Sequence, residues 1–258
     1  MKLTEYDDNV RAIINPEDVM ERLEGCPETI ITCFAEDLIK HAVELYDARH
    51  IADLYTANGL LPLYKAIIDD CEIGIIMSKV GAPAVVCQYE ELYALGVQKL
   101  VIFGTCGVLD RTIDECGVII PDCAVRDEGT SYHYIAVGDE IEVNVGSFAM
   151  MLDFFKSSGV KYISGKVWTT DGIYRETPDK MRRRREEGCI CVDMECAAIA
   201  ALAQFRNRTA VQFFYAADNL DGDKWDERNL MNGKDFASKA KILKLAVGLA
   251  LAMSGDDQ

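Results

Sequence analysis

The chain has 258 residues, half of them hydrophobic, enough for one large α/β domain or two small ones. Its net charge of −16, with no basic block, excludes nucleic acid and anionic membrane as natural partners but leaves room for a small anionic substrate in a locally positive pocket. Ten cysteines in a core-rich chain without a signal peptide read as reduced thiols, and three scattered histidines (His41, His50, His133) with no zinc-type cysteine spacing argue against a metal.

Residues 1–28 form a polar, acidic extension in which Asn15-Pro16-Glu17-Asp18 turns into a short helix, Val19 to Leu23. Glu28 to Phe34 carries the β-branched run Thr29-Ile30-Ile31-Thr32 of a buried strand. Glu36 to Arg49 is helical in period, with Leu38, Ala42, Leu45 and Tyr46 on one face. Leu60 to Ala66 and Glu72 to Met77 pair as strands, and Val80 to Ala84 is a tight loop opening a helix that Gly96 closes. Lys99 to Phe103 is a continuous apolar run, expected of a strand covered on both faces, and leads into a glycine-rich turn, Gly104-Thr105-Cys106-Gly107. Strands at Val118–Pro121 and Cys123–Val125, a polar stretch Arg126–Tyr134, a helix from Met150 to Ser158 and a strand from Lys161 to Thr169 follow. The loop from Thr170 to Pro178 precedes a charged, solvated helix, Lys180 to Glu187, in which Glu186 and Glu187 balance Arg182 to Arg185. A helix of small apolar residues begins near Cys196, a last core strand runs from Thr209 to Ala216, a polar loop spans Trp225 to Gly233, and an amphipathic helix spans Asp235 to Met253. That last helix holds the longest apolar run, Leu245 to Met253, too short to cross a bilayer. Alternating strands and helices without a linker or repeat predict a single α/β domain over residues 1–258, with a central mixed β-sheet flanked by helices. The thiol usage places it in the cytoplasm.

In such sheets ligands lie beyond the carboxyl ends of strands. Three segments fit that placement. Asp193 and Glu195 bracket Met194 at the start of the small-residue helix, where the dipole favours a carboxylate and an acid can hold a vicinal diol such as a ribose; a plain helix cap is the alternative. In the glycine-rich turn, Gly104 and Gly107 let backbone amides approach a ligand and Thr105 offers a hydroxyl; a tight connection is the alternative. Asp218 leaves an apolar strand, placed either to cap a helix or to donate a proton.

At these residues the sequence resembles nucleoside phosphorylase family I, the purine nucleoside and uridine phosphorylases and related nucleosidases. The similarity runs from about Ile30 to the C-terminus and rests on F-G-T-C-G-V-L (103–109), V-R-D-E-G-T-S-Y-H-Y (125–134), T-T-D-G-I-Y (169–174) and V-D-M-E-C-A-A (192–198). The resemblance implies a distorted barrel within the mixed sheet and cleavage of a ribonucleoside by phosphate, without a further cofactor. It implies that Glu195 binds ribose hydroxyls and Met194 packs on the sugar. Thr105, Cys106 and Gly107 would hold phosphate, Ile173 or Tyr174 would touch the base, and Asp218 would protonate a purine. It also implies a homo-oligomer, a dimer or hexamer whose neighbouring subunit completes each site.

Two departures stand out. The family's arginine-bearing loop after the first strand reads Cys33-Phe34-Ala35-Glu36-Asp37-Leu38 here, and the arginine that precedes the glycine-threonine segment is Ile102. Losing two guanidiniums removes much of what would hold a dianion. Lys79, Arg126 and Arg175 are the substitute cations, with Arg228 or Lys224 assisting at the base. A nucleosidase using water and a non-catalytic nucleoside-binding protein are therefore the alternatives to a phosphorylase.

Overall fold

The computed structural model describes residues 5–222, 224–228, 230 and 236–255, so parts of the expected loop at 225–233, and the expected helix start at Asp235, lie outside the described residues. In chain order the elements are α1 (Pro16–Val19), β1 (Thr29–Cys33), α2 (Glu36–Leu45), β2 (Arg49–Thr56), β3 (Gly59–Ile68), β4 (Cys71–Met77) and α3 (Ala82–Leu95). Then follow β5 (Lys99–Val108), β6 (Val118–Asp127), β7 (Glu140–Glu142), α4 (Phe148–Ser157), β8 (Tyr162–Thr170) and α5 (Pro178–Glu186). The chain closes with β9 (Cys189–Asp193), α6 (Cys196–Arg206), β10 (Thr209–Asn219) and α7 (Phe236–Gly255).

All ten strands join one mixed sheet in the order β10-β6-β8-β9-β5-β1-β4-β3-β2, with β7 on β6. A further parallel pairing of β10 with β5 bends one end of the sheet into a ring of five strands. The sheet is not a true barrel: β1, β4, β3 and β2 continue from the ring as an open wing. Alternation along the central strands explains the layers. Ile31, Val101 and Phe103 face α2, α4 and α7, whereas Ile30, Leu100 and Ile102 face α3 and α6. Every residue from Cys196 to Ala203 in α6 is buried, which its small side chains permit.

Three expectations are corrected. The helix after β1 stops at Leu45 because Asp47 takes a left-handed φ of 47°, and Arg49–Thr56 becomes a strand paired with β3. The short helix in the N-terminal extension is Pro16–Val19, one turn earlier than the hydrophobic pattern suggested, because Asn15 and Asp18 form a capping box. Gly104-Thr105-Cys106-Gly107 is not a turn: β5 runs through it to Val108. The glycines are there for close approach. A Cβ on Gly104 would stand 2.9 Å from the Phe34 ring, and one on Gly107 would stand 2.5 Å from a Leu220 methyl.

The charged helix α5 is solvated as expected, with no buried residue, but three of its cations also tie it down. Lys180 (3.0 Å) and Arg184 (4.0 Å) both reach Asp127, whose Oδ2 also accepts the Trp168 indole N–H at 3.0 Å, and Arg185 reaches the buried Asp221 at 2.5 Å. The basic run anchors the helix to the ends of β6 and β10.

Asn144, between β7 and α4, ties β6 to β10. Its Nδ2 donates to the Pro121 and Gln212 carbonyls at 2.9 and 3.0 Å, and its Oδ1 accepts from the Gln212 amide at 2.6 Å. It is buried and left-handed, at φ 58°. Asn144→Ala should strand three buried backbone groups and add left-handed strain, lowering unfolding free energy by about 3 kcal/mol in urea titrations with little change in m-value.

Candidate active site

The site is built where β9, β5 and β10 end side by side. Gly107 of β5 pairs with Val192 of β9 on one side and with Asp218 of β10 on the other. A bulge at Ala217 in β10 sets that register, so Thr105, Gly107 and Asp218 share one face of the sheet. Met194 and Glu195 follow directly beyond the end of β9.

Asp193 does not face a ligand. Its Oδ1 accepts from the Thr169 hydroxyl at 2.7 Å, and its Oδ2 accepts from the Glu195 and Cys196 amides at 2.9 and 2.7 Å. It caps α6, the role its spacing left open, and the substrate-binding expectation is corrected accordingly. Glu195 is thereby freed from capping. Its Oε1 accepts one amide hydrogen, from Gly81 at 2.5 Å, and Gly81 reaches that position with a φ of 96°. Burial, then the charge of Asp193, push the Glu195 carboxyl well above the ordinary carboxylate range. Asp193 is also raised by burial, but its three hydrogen bonds hold the ionised form, so it is the charged member of the pair. Met194 is half-buried between two buried acids, with surface left for a ligand.

Two further carboxylates belong to this end of the site. Asp171 accepts from the Gly129 amide at 2.9 Å and adds to the negative potential at Glu195. Glu128 is buried; its Oε2 accepts from the Thr130 and Ser131 amides at 2.6 and 2.9 Å, while its Oε1 has no hydrogen-bond partner among the described residues.

Asp218, 9% exposed, lies at the other end. Its Oδ2 accepts the Trp225 indole N–H at 2.7 Å. The Asn219–Asp226 backbone bridge holds Trp225 over it. Burial raises the Asp218 carboxyl, while the Trp225 hydrogen bond and the Arg228 charge draw it back. Glu176, in the loop before α5, is pushed up to about 7 by burial and then by the charge of Asp218.

The remaining candidates divide. Thr105 is exposed on β5, open to a ligand. Cys106 is 3% exposed and packs with Cys191, Ala197 and Ala200, so only its backbone can meet a ligand. Ile173 and Arg175 form a one-turn 3-10 segment with Tyr174, and all three are exposed, Tyr174 at 95%. Arg228 donates to the Ile113 carbonyl at 3.0 Å, lies 3.8 Å from Asp226, and its charge draws the Asp218 carboxyl down. Arg126 cannot serve a phosphate: its guanidinium donates to the Ser131 hydroxyl and to the Ala136 and Ile135 carbonyls, at 2.8, 2.7 and 3.0 Å. Lys79 senses Cys87 and Glu91 on α3. Thr169, Gly81, Glu176 and Trp225 were not singled out as site residues from sequence; only Thr169, at the head of a strand-end motif, carried a signal there.

A mixed sheet with a five-strand ring, two acids at the ends of the strands that flank β5, and a capped, small-residue helix joining those strands define a nucleoside phosphorylase fold. Uridine phosphorylase from Vibrio fischeri superposes with a TM-score of 0.75 at 20% identity, over 89% of this chain and 93% of its own. The phosphorylase superfamily model matches residues 29–251, and the chain belongs to that family. Among curated relatives, a guanosine phosphorylase of Halorubrum lacusprofundi is 22% identical over 78% of this chain and 85% of its own length. A DeoD-type purine nucleoside phosphorylase of Buchnera aphidicola is 25% identical over 67% of this chain and 77% of its own length.

Because the folded-state pKa of Glu195 is raised, the group's contribution to stability is kept below about pH 4 and lost as pH rises toward the raised value. Glu195→Gln keeps the Gly81 acceptor and removes that loss. Its unfolding free energy should match that of the parent near pH 4 and exceed it by on the order of 1 kcal/mol or more at pH 7, measured by denaturant titration across pH.

Proposed function

We propose that the chain cleaves the N-glycosidic bond of a purine ribonucleoside, with phosphate attacking the anomeric carbon to give free base and ribose 1-phosphate. The observation that carries this reading is Glu195: a buried carboxyl that accepts from the Gly81 amide, beside a half-exposed methionine, at the mouth of a helix capped by another residue. In its ionised form such a group accepts two hydrogen bonds from a ribose diol and steadies the positive sugar as the bond breaks. Asp218, desolvated and held by Trp225, gives its proton to the departing base. Thr105 supplies a hydroxyl to the phosphate, Arg175 is the free-standing cation of the nearby loop, and Ile173 and Tyr174 close on the base. The exposed apolar side chains of Val80, Ile173 and Tyr174 beside the site support completion by a second copy. Ten unpaired cysteines support a reducing, cytoplasmic setting.

Water as nucleophile is the second reading. Arg126 is saturated, Ile102 is buried, Phe34 packs on Gly104, and four carboxylates surround the sugar end, all of which weaken the hold on a dianion.

A panel of purine and pyrimidine nucleosides assayed with and without phosphate separates these readings. Phosphorolysis requires base release to rise with phosphate concentration and saturate, with ribose 1-phosphate as product; release independent of phosphate, with free ribose, selects the hydrolase. No turnover of any nucleoside under either condition overturns both.

Asp218→Asn should slow release of an ordinary purine about 10²- to 10⁴-fold. It should slow 7-methylguanosine, whose base leaves without protonation, far less. Equal losses on both substrates would remove the acid from the mechanism.

A further inference from the structure

The segment that joins β4 to α3, Ser78 to Gly81, is held by more buried polar contacts than a short connection needs. Ser78 donates its amide to the Cys33 carbonyl at 2.9 Å. Its hydroxyl sits 2.6 Å from the Thr32 hydroxyl of β1 and 2.6 Å from the Tyr89 hydroxyl of α3. Gln88 spans the same residue: its Nε2 donates to the Met77 carbonyl at 2.8 Å, and its Oε1 accepts from the Lys79 amide at 2.9 Å. Gly81 is the N-cap of α3, and its carbonyl accepts from the Ala84 and Val85 amides at 3.0 and 3.1 Å. Thr32, Ser78, Gln88 and Tyr89 are each 2% exposed or less.

Elsewhere α3 turns an apolar face to the core, through Val85, Val86 and Leu92. Polar groups in such a face cost desolvation, and all four of these are hydrogen-bonded within the strap or to it. A satisfied buried network of this kind specifies one arrangement. What leaves the strap toward the site is the Gly81 N–H. The positive φ of 96° aims it at Glu195 Oε1, 2.5 Å away. The start of α3 adds its dipole, and amide and dipole both favour a negative carboxylate. Burial and the charge of Asp193 act against them, with Asp171 adding to the opposition. Glu128 acts on Asp193, and Lys79 of the strap acts on Cys87 and Glu91. Tyr89 and Cys196, on which the Glu195 charge acts, are raised by burial and stay neutral.

We propose that Gln88 and Tyr89 are positioning residues for the sugar carboxylate: they lock the Ser78–Gly81 strap so that the Gly81 amide stays on Glu195 Oε1. The proposal deepens the cleavage reading above and rests on it for what Glu195 binds. Both side chains are sealed from a ligand and act through the strap. With the amide fixed, Glu195 is kept as the acceptor that a ribose diol requires. With the strap released, the amide drifts and the carboxyl keeps its proton to higher pH.

The test uses Gln88→Met, which keeps the bulk and removes both clasping bonds, and Tyr89→Phe, which removes one hydroxyl. In Gln88→Met the acid limb of the kcat/KM profile, for the fastest nucleoside of the panel, should move up by about one pH unit. On the plateau kcat/KM should stay within about twofold of the parent. Tyr89→Phe should move the limb in the same direction by less. An infrared difference titration reads the Glu195 carboxyl itself, as the band missing in Glu195→Gln, and should shift in parallel. Leu95→Ala, at the far end of α3, is the control: it should lower the melting temperature and leave the titration in place. An unmoved Glu195 titration in folded Gln88→Met and Tyr89→Phe overturns the assignment, as does an equal shift in Leu95→Ala. Should Gln88→Met fail to fold, Tyr89→Phe decides. If the parent cleaves no nucleoside but its Glu195 band moves in the strap variants, the cleavage reading fails while the positioning of Glu195 stands.

Discussion

The Asp193 carboxylate is the contact on which the site depends. It joins the end of β8 through Thr169, the end of β9 through its own backbone, and the first turn of α6 through two amides. A helix start buried this deeply needs a partner for its unpaired N–H groups, and an aspartate two residues ahead supplies it. Thr169 also accepts from the Ala197 amide, so a third helix amide is satisfied by the neighbouring strand. With capping delegated to Asp193 and Thr169, Glu195 keeps a carboxylate that the fold does not consume. The cost is electrostatic: two acids separated by one residue, both desolvated, with Glu128 and Asp171 adding to the field. Such local instability is of the kind that clusters at functional sites.

Much of the architecture was readable from residue patterns. The double-faced runs in β1 and β5 gave central strands, and the small-residue run after Met194 gave a helix buried on every side. What escaped depends on backbone geometry and on close packing. Asp47 and its left-handed φ end α2 early, although the apolar period continues past it, and so conceal β2. Gly104 and Gly107 look like turn residues because a glycine needed for space has the same letter as one needed for rotation.

Within the site, Glu195 and Asp218 were legible because strand-end acids are visible in sequence. The occupancy of a cation was not. Arg126 looked available by composition, but the 130–136 loop folds back and engages all three of its guanidinium nitrogens. Glu176 and Trp225 were invisible for the converse reason: their relation to Asp218 arises from two loops that sequence places 42 and 7 residues away from it on either side. Likewise α5 reads as a solvated helix by charge count and is one, but the attachment of Arg184 to Asp127 and of Arg185 to Asp221 is not visible in sequence.

The contact between Gly107 and Leu220 has an evolutionary corollary. With a Leu220 methyl 2.5 Å, and Asp218 Oδ1 3.2 Å, from where a β-carbon on Gly107 would lie, these positions can drift only as a coordinated set. A lineage acquiring alanine at 107 must also let the Leu220 side chain move aside, so the room at 220 decides which descendants can remodel this wall.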